Sequence, residues 1–188
     1  MESLHAMKVA DVIAVVRERG PLTGAELRDA LSGSGLALWR MCVRSPELLV
    51  SRVGRRYLRL DRQIEGFARL SPSILREFMT YTIVGLAADP QAVERRAQAV
   101  LAHALAVTKS KRELARAVVA EIAESLGAGG LSSDHFCVLL AGDIVYEMAH
   151  DVPRPERSTG KLVNGSDLDL VFIVDDDAPE AMVSELDQ

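Results

Sequence analysis

The chain has 188 residues, of which 48% are hydrophobic and 26% charged, with a formal net charge of -5. That balance is the make-up of a globular protein of one or two domains and excludes a collagen-like fibre or a wholly disordered segment. Aromatic residues are only 4%, so Leu, Val, Ile and Ala must build the core.

No apolar run is long enough to span a bilayer and no secretory signal pattern opens the chain, so no membrane partner and a cytoplasmic location are expected. Cys42 and Cys137 lie far apart in apolar surroundings, without metal-ligand spacing, and read as two buried free thiols of a reducing compartment. Charge is unevenly spread. Residues 1–70 carry 12 basic and 8 acidic side chains, residues 71–134 carry 7 of each, and residues 135–188 carry 3 basic and 12 acidic. One end can approach a polyanion and the other can hold cations.

Val9, Val12, Ile13 and Val16 recur at helical spacing within residues 4–19, and Gly20-Pro21 stops the pattern. Thr23-Gly24-Ala25-Glu26 is a capping box that opens a second helix through Leu27 and Leu31. A third helix is predicted over 36–44, before Ser45-Pro46. Two β-prone runs, 48–53 and 56–60, flank Gly54-Arg55 and predict a hairpin.

Three short helices followed by a basic hairpin resemble a winged helix-turn-helix domain, here 1–62. The resemblance puts helix 36–44 in the recognition position, with Trp39 as a core anchor and Arg55 at the wing tip. Seven arginines lie between Arg40 and Arg62, against Glu47 and Asp61. Arg40, Arg44, Arg52, Arg55, Arg56 and Arg59 are the candidate contacts to DNA or RNA, since basic side chains beside such a helix neutralise phosphates.

Ser71-Pro72 predicts the start of a helix through Ile74, Leu75, Phe78 and Val84. Asp89-Pro90 starts a second, with Val93, Ala97, Val100, Leu101 and Leu105 on one side, and Ser110-Lys111-Arg112-Glu113 caps a third that ends at Gly127. Residues 63–109 thus read as a helical connector, and 110–188 as a further domain whose first helix packs under the strand that follows it.

That strand is the apolar run 136–141, which enters Gly142 and a predicted short helix at 144–148. Downstream, Gly165-Ser166-Asp167-Leu168-Asp169 opens a second apolar run through Val174. In an extended strand, residues i and i+2 share a face, so Asp167 and Asp169 present two hard oxygen ligands together, a set that suits Mg²⁺ completed by a substrate's phosphates.

Strand, Gly turn, helix and Asp-x-Asp strand in this order resemble the polymerase-beta-like nucleotidyltransferase superfamily. The resemblance covers about residues 134–177 and implies that Asp167 and Asp169 act as catalytic metal ligands. It implies a nucleotide-binding set of Gly142, Asp143, Gly165, Ser166 and Lys161, an NTP partner and a Mg²⁺ cofactor. The family's Ser after the turn glycine is Asp143 here, whose charge repels phosphate. Residues 150–157 read as an inserted loop that lengthens the link from Gly142 to Asp167, and Lys161 or Arg157 in that link is expected to offset the charge. No strand follows to supply the family's third carboxylate.

The expected fold is therefore mainly α with a small α/β part, and the domain is expected to be inactive alone. A homo-oligomer or a missing C-terminal remainder would complete it. The expected function is transfer of an NMP from an NTP to a hydroxyl acceptor. The alternative is a winged-helix DNA-binding regulator whose C-terminal part is an assembly module.

Overall fold

The computed structural model describes residues 7–54, 74–155 and 162–186. The fold is mainly helical with small antiparallel sheets. It divides into two compact units, Met1–His103 and Ala104–Gln188.

In the first unit, α1 (Val9–Arg19) buries Val12, Ile13 and Val16, the stripe anticipated from their spacing. A short strand β1 (Leu22–Thr23) leads into α2 (Gly24–Leu31). The capping box forms as predicted: the Glu26 backbone N–H donates to Thr23 Oγ1 at 3.2 Å and the Thr23 N–H donates to Glu26 Oε2 at 2.7 Å. Helix α3 (Gly35–Arg44) follows and buries Leu38 and Cys42. These helices close on Leu27, Leu48, Phe78 and Val84, with Trp39 packed against the cluster.

The sheet contains a pairing that the sequence did not predict. Strand β2 (Leu48–Arg52) pairs antiparallel with β3 (Thr82–Leu86), from Leu48 opposite Leu86 to Arg52 opposite Thr82, and β1 pairs on the other side of β3. Helix α4 (Ile74–Tyr81) precedes β3, so the helix predicted through Val84 ends earlier. Thr82, Ile83 and Val84 are consecutive β-branched residues, stiff at χ1 and suited to a pleated surface. All three are buried, because β3 is the central strand of the sheet. The predicted second hairpin strand at 56–60 and the helix start at Ser71-Pro72 lie outside the described residues.

Helix α5 (Pro90–Ala128) is one continuous element of 39 residues where two helices were predicted. The Ser110 capping box does not act as a start, because no Gly or Pro separates it from the preceding helical run and the backbone N–H groups there already have partners one turn back. The boundary between the two units falls inside this helix.

The second unit is built on β4 (Phe136–Ala141) and β7 (Asp169–Val174), paired antiparallel from Phe136 opposite Val174 to Ala141 opposite Asp169. Their alternation is regular: Val138, Leu140, Leu170 and Phe172 are partly buried, whereas Cys137, Leu139, Val171 and Ile173 are exposed. Cys137 is thus an exposed thiol and not the buried one anticipated, because the period-2 alternation of β4 puts it on the open face. Between these strands, β5 (Pro153–Pro155) and β6 (Leu162–Asn164) form a second antiparallel pair, so the stretch read as a loop is partly a ribbon. Helix α6 (Glu180–Leu186) buries Met182.

Candidate functional site

The second unit brings the turn after β4 and the entry to β7 together. Gly142 has φ 72°, a left-handed backbone that glycine adopts without a Cβ penalty. A Cβ there would overlap the Asp169 carboxylate. Positive φ and close approach of a carboxylate therefore both require glycine at this position. The turn is a single 3-10 turn over Gly142–Ile144, not the predicted helix. Its course is set by the Val145 N–H donating to Gly142 O at 3.2 Å and the Met148 N–H donating to Asp143 O at 2.9 Å. Glu147 has φ 62°, which ends helical continuation, while Ile144, Met148 and Ala149 are fully buried and pin the segment.

Asp143 and Ser166 meet directly, the Ser166 hydroxyl donating to Asp143 Oδ2 at 2.9 Å. The same hydroxyl accepts the His150 N–H at 3.1 Å, and the Ser166 N–H donates to His150 O at 2.8 Å. Gly165, with φ 82°, lets the chain pass against the backbone of His150, where a Cβ would collide. His150 and Ser166 are buried. Asp167 and Asp169 are both exposed on either side of Leu168. Gly142, Asp143, Gly165, Ser166 and Asp169 thus share one corner, with Asp167 next to Ser166 in the chain. Lys161 and Arg157 lie outside the described residues.

The cation found at this corner comes from elsewhere. Lys111 of α5 donates from Nζ to the Ser166 carbonyl at 2.7 Å, and Arg112 donates to the Ile144 carbonyl at 3.1 Å while facing Glu147 at 3.8 Å. Thr108 Oγ1 accepts the Ala149 N–H at 3.1 Å. Lys111 and Arg112 were read as part of the Ser110 capping box and Thr108 was not singled out; their clue in the sequence is the unbroken polar run 108–113 within an Ala-rich helix.

The donor set fits a magnesium ion in kind. Mg²⁺ takes one or two carboxylates and fills its remaining positions with water and substrate phosphate. Asp167 and Asp169 supply exposed hard oxygens, and the Cβ-free Gly142 leaves room for the Asp169 carboxylate. Among the described residues no three His, Cys, Asp or Glu side chains group as a metal cage.

In the first unit, Arg40 and Arg44 stand exposed one turn apart on α3, beside exposed Leu36 and Val43. Arg52 ion-pairs with Glu77 at 2.8 Å, so part of its charge is already matched. Arg55, Arg56 and Arg59 lie outside the described residues. No helix among the described residues is long and apolar enough to cross a membrane. Compared with family models, curated proteins and solved structures, the chain finds no match in any of the three.

Proposed function

We propose that this chain is a nucleotidyltransferase-like protein whose Asp167 and Asp169 hold Mg²⁺ with an NTP, coupled to an N-terminal nucleic-acid-binding winged helix. The observation that carries the reading is the packing of the Asp169 carboxylate over the left-handed Gly142 turn. Residues far apart in the chain meet there, and the meeting sets a carboxylate that could ligate a metal against the turn after β4. In this reading Asp167 and Asp169 bind the ion, which would neutralise the triphosphate and lower the barrier to attack by an acceptor hydroxyl. Lys111 holds the Gly165-Ser166-Asp167 segment in place through the Ser166 carbonyl and adds positive charge beside it.

The test is a titration of the protein with each NTP, with and without Mg²⁺, repeated on Asp167→Ala/Asp169→Ala. Binding that needs Mg²⁺ and falls at least about tenfold in the double variant, the loss of a charged ligand interaction, is expected. Binding that ignores both the ion and the substitutions would refute it.

A second reading, a winged-helix regulator with a catalytically incomplete C-terminal unit, draws on one observation. Asp143 puts a carboxylate into the turn that would face phosphate, and the Ser166 hydroxyl is already committed to it. On this reading duplex binding persists and NTP binding is absent.

A further inference from the structure

On the other side of the β4–β7 pair from Asp169 lies a groove of about 550 Å³ against α5. Leu170 lines it, and neighbouring strand residues point to opposite faces, so the groove runs along the face of β7 opposite the Asp169 side chain. Its volume is in the range of small-molecule sites, about 300–1,000 Å³. The walls include Val119, Ala120, Ala123, Val138, Leu140 and Leu170, while Arg112 and Arg116 are the charged members among the described residues. Alanines on α5 make the width: at those positions the helix withholds the bulk that would fill the space.

The polar chemistry of the lining is one-sided. Arg112 and Arg116 sit four residues apart on one helix face, and Arg112 reaches the Ile144 carbonyl, which puts the cationic end beside the Gly142 turn. Arg116 is exposed and, among the described residues, engages no carboxylate. Among the described residues no lining side chain can accept a hydrogen bond, so the side chains described there offer nothing to fix the donors of a sugar or a base. An apolar channel ending in guanidinium donors is complementary to one class of molecule, an apolar chain with an oxyanion head.

We propose that this groove binds a medium-chain carboxylate, its chain along Val119, Ala123, Val138 and Leu140 and its head on Arg116. Calorimetric titration of the full chain with octanoate, decanoate and dodecanoate below their micelle concentrations tests it. Saturable 1:1 binding that tightens about fourfold per methylene and exceeds that of decanol by about tenfold or more is expected. Arg116→Glu and Ala120→Trp, both at exposed positions of α5, should each weaken decanoate by about tenfold or more with an unchanged circular dichroism spectrum. Absence of binding, binding indifferent to both variants, or equal binding of decyltrimethylammonium would each overturn the proposal. So would a dimer that Ala120→Trp dissociates without decanoate having bound the parent, an outcome that gives the groove to a second copy of the chain.

Discussion

Gly142 is a residue whose backbone and neighbour make the same demand. Its φ of 72° costs any residue with a Cβ about 1–2 kcal/mol, and a Cβ would also displace the Asp169 carboxylate. Gly142→Ala should therefore lower the urea midpoint of the second unit and, if the proposed site binds an NTP with Mg²⁺, abolish that binding. Unchanged stability and unchanged binding would show that neither demand matters. The two thiols differ as sharply. Burial pushes the Cys42 thiol up to about 11, leaving little of the reactive thiolate at neutral pH, whereas Cys137 stands open on β4. Native protein treated with iodoacetamide at pH 8 should carry one adduct, on Cys137, with Cys42 modified only after unfolding; mass spectrometry of the peptides reads the result. Early modification of Cys42 would contradict its burial. The sequence showed two cysteines in apolar patterns and could not tell these fates apart, because Cys137 alternates outward on a sheet whose open face is itself apolar.

At the scale of elements, the start of α2 shows how local signals become stability. Glu26 is partly buried, which raises its pKa, but the Thr23 backbone N–H, Arg96 and the Thr23 hydroxyl outweigh that and leave it lowered from 4.5. Arg96 reaches it at 2.6 Å. A carboxylate with a depressed folded pKa contributes stability above its unfolded value of 4.5 and loses it as pH falls through the folded value. The partners are more than a third exposed, so solvent limits the pair to roughly 0–1 kcal/mol. Glu26→Gln should thus cost roughly this much at pH 7, and the gap should shrink as pH falls below 4.5 and through the depressed folded value. Urea melts at pH 7 and pH 3.5 measure the difference, and a gap that stays constant with pH would remove Glu26 from the account. This capping box was legible because all its partners lie within four residues. The equivalent pattern at Ser110 misled because a capping box marks a start only where the chain has already left the preceding helix, and no Gly or Pro interrupts α5 before it. β3 was missed because Thr82-Ile83-Val84 follows a helical stripe without a breaker, and only pairing with β1 and β2 makes it a strand.

For the whole molecule, charge is the property that spans both units. The basic excess belongs to the N-terminal part and the acidic excess to the C-terminal part, so polyanion binding should reside in the first unit. If α3 contacts a duplex, affinity should fall linearly in log–log form with salt. Arg40→Ala/Arg44→Ala should then reduce the slope by about 2, one for each phosphate that is no longer neutralised. Fluorescence anisotropy on labelled duplex between low and moderate salt gives the slope, and a slope unmoved by the double variant would take the helix out of the interface. Arg52, paired with Glu77, should matter less than its place in the run of arginines suggested. By itself the sequence determined what depends on near neighbours: α1, the cap of α2, α3, the two apolar strands, the Asp-x-Asp pair and the mainly helical class. The tertiary structure decided what depends on distant chain: β3 as the partner of β2, Lys111 at the Ser166 carbonyl and Asp169 over Gly142. Periodicity and capping act within a turn or two of backbone, whereas the partner that satisfies a strand edge or surrounds a carboxylate is chosen only when the chain closes on itself.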